Sequence, residues 1–267
     1  VIAKRIIPCF DVRDGRVMKF ESFFENERDV GDPLVLAQRY EQEGADELVL
    51  LDISATIEGR QTTLSVVREV AAHIHIPLTV GGGIADVDSA RMALRAGADK
   101  VSINSAAVRR PALIGELAHR FGAQCVVVAI DARRDQGNPS SRAHVMIDGG
   151  RTQVGWNAVD WAIRAARLGA GELLLTSFDQ DGRGKGYDVE LTREIAHAVP
   201  IPVIASGGAG TVEHLYDVLT RGGAEAALAA TMFHLAGTSI QEVKATLARR
   251  GLVVRPLDAN STTALRT

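Results

Sequence analysis

The sequence predicts an α/β chain folded as a closed (β/α)8 barrel of the TIM type, built from two similar four-strand half-barrels. Three observations carry this. Short β-branched or Leu-rich runs alternate eight times with longer segments of helical period. The strands are continuous apolar runs joined by helical crossovers, the mark of a parallel sheet covered on its outer faces. The two halves also repeat each other at offsets of 120 to 126 residues, which keeps the order of elements and is far longer than a solenoid period. With 267 residues and 46% hydrophobic content, the chain can bury a core of that size. An open doubly wound sheet is the structural rival.

In chain order, "AKRIIPCFDV" is followed by the helical "DPLVLAQRYEQEGA", where Asp32 caps the helix and Pro33 takes its first position. Next come "DELVLLDI" with "TTLSVVREVAAHI", "PLTVGGG" with "DVDSARMALRAGA", and "KVSIN" with "PALIGELAHRFGA". The second half runs "QCVVVAIDA" with "NAVDWAIRAARLGA", "GELLLTSFDQDG" with "VELTREIAHAV", "PVIASGGA" with "VEHLYDVLTRGGA", and "EAALAAT" with "SIQEVKATLARRG". Ser239 and Glu242 form a capping box, and Gly44, Gly97, Gly169 and Gly223 stand where helices should stop. Residues 1–253 are expected to form one domain, with a hairpin insertion over 132–156 that turns at Asp148, Gly149 and Gly150. Residues 254–267 carry no core-forming pattern and are expected to be a flexible tail.

Charge excludes some functions. The 30 Lys and Arg against 33 Asp and Glu give no general attraction to a nucleic acid polymer or an anionic membrane, so any anion must be held locally. Apolar runs such as "CVVVAI" are far shorter than the ~18–20 residues a bilayer requires, and the N-terminus lacks the pattern of a signal peptide. Cys9 and Cys125 lie in apolar runs, as small buried thiols do, and the expectation is a soluble, cytoplasmic chain. The histidines show no metal-binding spacing, so no metal is expected.

In such a barrel, residues just after each strand line the C-terminal mouth, where function is built. Gly82 and Gly83 fall there beside Asn104 and Ser105, and Gly207 and Gly208 fall there beside Ala230 and Thr231. Backbone N–H groups, small polar tips and nearby helix N-termini suit a phosphate, and two such cradles imply a ligand with two phosphates. Tight turns are the plainer reading of either glycine cluster alone. Asp11 and Asp131 end the first and fifth strands, at opposed positions between the cradles, as a general acid and a general base would. Lys19, in the first loop, is either a cation over the substrate or a solvated surface residue. At the other end, Arg5, Glu47, Lys100 and Glu172 begin the first, second, fourth and sixth strands, as a pore-closing ring of alternating charge or as ordinary solvated ions.

These strings, from "AKRIIPCFDVRDGRVMK" through "TVGGGI", "VVVAIDA" and "GAGELLLTSFDQDGRGKGYD" to "ALAATMFH", resemble the cyclase subunits of imidazole glycerol phosphate synthase, of histidine biosynthesis, over about residues 3–253. The resemblance implies a (β/α)8 lyase without a cofactor. It takes ammonia from a glutaminase (glutamine amidotransferase) partner docked at the N-terminal face. With it, the enzyme cleaves and cyclises a bis-phosphorylated ribulosyl-formimino carboxamide nucleotide. The products are imidazole glycerol phosphate and aminoimidazole carboxamide ribonucleotide. By the same resemblance, Asp11 and Asp131 are the acid–base pair and Lys19 is important to turnover. Gly83, Asn104 and Ser105 hold one phosphate; Asp181, Gly182, Gly208, Ala230 and Thr231 hold the other; Thr176 and Asp52 line the pocket. Arg5, Glu47, Lys100 and Glu172 match the gate on the ammonia route.

The chain departs from the family in its first loop, "KFESFFENERD", where Phe20 replaces a glycine and one extra residue precedes Asn26. Three rivals stand at this stage. One is the sister barrel that isomerises a related bis-phosphate through two opposed aspartates. Another is a cyclase-like amidotransferase subunit of surface-polysaccharide sugar synthesis, and the third is a non-catalytic phosphosugar-binding scaffold that regulates a glutaminase.

Overall fold

The computed structural model describes residues 2–19, 28–53, 64–135, 141–234 and 237–256. Its strands in chain order are β1 (Arg5–Arg13), β2 (Arg16–Lys19), β3 (Arg28–Gly31), β4 (Leu48–Asp52), β5 (Leu78–Gly81), β6 (Lys100–Ile103), β7 (Val126–Arg134), β8 (Ala143–Ile147), β9 (Thr152–Asn157), β10 (Glu172–Ser177), β11 (Val203–Ser206) and β12 (Ala226–Ala229). Eight of them, β1, β4, β5, β6, β7, β10, β11 and β12, pair in parallel in that order, and β12 returns to β1. The barrel is closed, which removes the open sheet as an alternative.

Alternation along the strands creates two cores. Ile7, Cys9, Val49, Val127, Leu174, Ile204, Ala226 and Leu228 fill the barrel axis, with Leu51, Ala129 and Ala230 packed against them. The opposite parity, including Ile6, Phe10, Leu48, Leu50, Val80, Val126 and Val128, packs outward under the helices. Burying each such aliphatic side chain contributes about 1.5–3 kcal/mol before chain entropy is counted. The caps act as read from the sequence. The Asp32 carboxylate accepts the N–H groups of Leu34 and Val35, and Ser239 and Glu242 cap each other reciprocally. Gly44, Gly97, Gly169 and Gly223 sit at φ 93°, 115°, 109° and 69°, left-handed backbone that lets the chain turn out of each helix.

Four details differ from expectation. The strand–loop boundary in the second half moves, because β7 runs on to Arg134 and pairs antiparallel with β8, which pairs with β9. A matching excursion follows the first strand, where β1 continues to Arg13 and pairs antiparallel with β2, and β2 pairs with β3. Cys125 is only half-buried, because it ends a 3-10 turn at the entrance of β7 rather than lying within the strand. The chain is also held past 253: Val254 bridges Lys4, and the Arg255 guanidinium donates to Asp46 (2.8 Å) and to the carbonyls of Gly44 and Ala45. The remainder of the expected tail, 257–267, and the first-loop departure at Phe20 and Asn26 lie outside the described residues.

Candidate active site

Parity sorts the functional side chains. Two residues beyond the axial Cys9, Ala129 and Leu174 stand Asp11, Asp131 and Thr176, at the C-terminal mouth. β1 and β7 are the first and fifth of eight strands, so Asp11 and Asp131 stand on opposite sides of that mouth.

Their surroundings repeat as well. Asp11 pairs with Leu51 of β4 on one side and Met18 of β2 on the other; Asp131 pairs with Thr176 of β10 and Met146 of β8. β12 accompanies β1 only to Pro8, and β6 accompanies β7 only to Val128. In each half, therefore, a hairpin strand takes over the ladder beside the aspartate.

Asn104 donates from Nδ2 to Asp131 Oδ2 at 2.9 Å, and its buried Oδ1 has no hydrogen-bond partner among the described residues. Burial pushes the Asp131 carboxyl up to about 7, the nearby Asp181 carboxylate adds to the rise, and the Asn104 hydrogen bond opposes it. A carboxyl in that range can hold a proton at neutral pH and also release it. Asp181 is fixed in a turn after β10, where its N–H donates to the carbonyl of Ser177 (3.0 Å), and Gly182 follows at φ 71°.

The glycine clusters require glycine. A Cβ on Gly82 (φ 90°) would lie 2.2 Å from the Asp52 carbonyl oxygen, and one on Gly207 (φ 89°) would lie 2.8 Å from that of Ser177. Asp52 and Ser177 are themselves equivalent positions of the two halves. Gly83 (φ 67°) and Gly208 (φ 103°) continue each turn. Gly208 packs under the 182–186 loop and accepts the Gly186 N–H at 2.8 Å. Asp52 is buried, at 2% exposure, against the first of these turns.

Ser105 begins the short helix Ser105–Arg109, and its Oγ accepts the backbone N–H of Asp148 at 2.9 Å. Ala230 and Thr231 lead into the helix Thr231–His234. That helix is pinned to β1 through His234, whose Nε2 lies 2.9 Å from the Cys9 carbonyl and whose Nδ1 lies 2.7 Å from the Tyr40 hydroxyl. A carbonyl only accepts, so Nε2 carries a proton. Lys19 ends β2, with its Cα opposite Arg28; its side chain lies outside the described residues.

Arg5, Glu47, Lys100 and Glu172 stand at the opposite end and form a closed ring. Arg5 pairs with Glu47 at 2.8 Å and with Glu172, while Lys100 lies 2.9 Å from each carboxylate. Glu47 and Glu172 are 1% and 6% exposed, so this is a desolvated network rather than solvated surface charge. Thr79 donates from its hydroxyl to Glu47 at 2.6 Å, a member the sequence reading missed. Its signal was available: a lone hydroxyl in the apolar "PLTVGGG". The hairpin turn at Asp148 was also missed as a neighbour of Ser105, because nothing local in sequence links residues 43 apart. Among the described residues, no group of acidic, His and Cys side chains could hold a metal ion, and no helix is long and apolar enough to cross a membrane.

A closed (β/α)8 barrel with two opposed carboxyl groups at its mouth defines a barrel enzyme. A family profile described as "Histidine biosynthesis protein" matches residues 5–239. Imidazole glycerol phosphate synthase subunit HisF of Geobacillus thermodenitrificans is 57% identical over 255 residues, covering 96% of this chain and 100% of that protein. The proteins of the same name from Geobacillus kaustophilus and Bacillus licheniformis are 55% and 56% identical with the same coverage. The chain belongs to the histidine biosynthesis protein family and, within it, to the HisF cyclase subunits, enzymes of the lyase class.

Proposed function

We propose that this chain takes ammonia from a glutaminase subunit docked on the N-terminal face and uses it to cleave and cyclise a bis-phosphorylated ribulosyl-formimino carboxamide nucleotide. Imidazole glycerol phosphate and aminoimidazole carboxamide ribonucleotide leave. The observation that carries the reading is the opposed pair Asp11 and Asp131 in equivalent ladder frames, with Asp131 raised to about 7. Cleaving a C–N bond requires a proton for the departing nitrogen, and forming the new bond requires a proton to leave the attacking one. Asp131 is suited to give the first, and Asp11 to take the second. Gly82, Gly83, Asn104 and Ser105 cradle one phosphate, and Asp181, Gly182, Gly207, Gly208, Ala230 and Thr231 cradle the other. Asp52 and Thr176 line the space between them, and Lys19 is important to turnover.

The ring of Arg5, Glu47, Lys100 and Glu172 is the gate through which ammonia enters the axis. The exposed apolar side chains of Ile2 (79%) and Val253 (48%), near the Lys4–Val254 bridge at this end, support docking there. Cys9 and Cys125, not joined by a disulfide, suit a reducing, cytoplasmic setting. The test is an assay of the purified chain with the nucleotide and an ammonium salt. Release of aminoimidazole carboxamide ribonucleotide by the wild type, and its loss in Asp11→Asn with substrate affinity retained, is the expected result. Turnover unchanged by Asp11→Asn would overturn the reading.

A further inference from the structure

We propose that Arg109 and Asp148 form a latch that positions Ser105 for phosphate binding, so that the hairpin of the fifth strand serves the cradle of the fourth. The proposal rests on Ser105 being a phosphate ligand. Asp148 sits at φ 56° in the turn between β8 and β9, followed by Gly149 and Gly150 at 63° and 80°. Three successive left-handed residues aim the Asp148 N–H at Ser105, and Oγ accepts it at 2.9 Å. A serine hydroxyl has one proton and two lone pairs. With a lone pair committed to Asp148, the proton turns away from the hairpin and toward an anion in the cradle. Arg109, four residues further along the same short helix, holds the turn in register: its Nη2 lies 2.5 and 2.6 Å from the two Asp148 carboxylate oxygens.

Stability is a poor reason for this pair, because the two side chains are 56% and 30% exposed. A groove of ≈ 470 Å³, lined by Val108, Ile147, Val154 and Trp156 as well as Arg109, opens between helix and hairpin. The ion pair thus spans a gap instead of crowning a packed interface. On its far side the turn is seated by Gly150 lying against the Phe178 ring, where any side chain at 150 would collide. The Arg133 guanidinium covers that ring at 3.9 Å. Only the Ser105 side of the turn depends on the latch.

The test is a double-mutant cycle read as KM for the bis-phosphorylated substrate and Ki for inorganic phosphate, at saturating ammonium. Ser105→Ala should raise both. Arg109→Met should raise KM and Ki by about threefold or more with kcat nearly unchanged, and should add almost nothing in the Ser105→Ala background. Arg109→Lys should recover most of the loss. If Arg109→Met misfolds, Asp148→Asn keeps the left-handed turn and weakens the pair, with the same non-additivity expected. If Ser105→Ala raises KM and Ki but the latch variants do not, or multiply fully with it, the latch is overturned and the cradle stands. If Ser105→Ala changes neither constant, the cradle reading fails and the latch fails with it.

Discussion

Asn104 donates a hydrogen bond to Asp131 across 2.9 Å, linking the end of β6 to the end of β7 at the mouth of the barrel. The bond favours the ionised carboxylate and works against the burial that favours the acid. Removing it with Asn104→Ala leaves burial and Asp181 unopposed, and proton affinity rises. With Asp131 as the acid, activity falls as pH passes its titration point, so the alkaline limb of kcat/KM should move up, on the order of half a pH unit. A downward move would show that another group controls that limb.

Asp181 should act in the opposite sense. After burial, its negative charge is the other influence raising Asp131. Asp181→Asn removes the repulsion, so the alkaline limb should move down, again on the order of half a pH unit. The pair of variants, read by the same pH profile, separates charge repulsion from hydrogen bonding at one carboxyl.

Asp131→Asn should inactivate the enzyme and stabilise the fold above neutrality. The folded-state value of about 7 exceeds the unfolded 3.8. The proton's stabilising contribution is therefore complete below about pH 4 and is lost as pH rises through about 7. Asparagine avoids that loss. Urea unfolding should show the variant more stable by on the order of 4 kcal/mol at pH 8, a gap that narrows as pH falls and closes near pH 4.

Lys100→Met should leave Glu47 and Glu172 with Arg5 as their remaining cation, since Lys100 now bonds both at 2.9 Å. The cost should fall below the ~3–5 kcal/mol of severing a fully buried pair, because the ring is only partly dismantled. Ammonium-driven turnover should survive while its ratio to glutamine-driven turnover in the assembled enzyme changes. An unchanged ratio would argue against the ring lying on the ammonia route.

Gly82→Ala should lower Tm and raise KM together, since the new methyl meets the Asp52 carbonyl in a left-handed backbone. Gly155→Ala, where nothing lies within 4 Å, is the control and should leave both unchanged.

The barrel was legible because each strand and helix announces itself by local period, and the doubled strings "IPLTVGGGI" and "IPVIASGGA" gave the pseudo-twofold. The charged ring was legible only as alternatives. Whether Arg5, Glu47, Lys100 and Glu172 meet or splay into solvent depends on closure of the barrel, which no short stretch encodes. The β2–β3 excursion escaped notice because "RVMK" and "RDVG" are short and polar, and only their pairing beside β1 makes them strands. Arg255 looked like the start of a loose tail. Its anchor, Asp46, lies 209 positions away in sequence.

The parallel bridge between Lys4 and Val254 brings the two ends of the described chain side by side beneath the barrel. A short peptide joining them, with a new opening cut at Gly122 or Ala123, would yield a circular permutant in which the two half-barrels exchange their order of synthesis. Every ladder would be kept. The order of translation and the architecture are separable in this molecule.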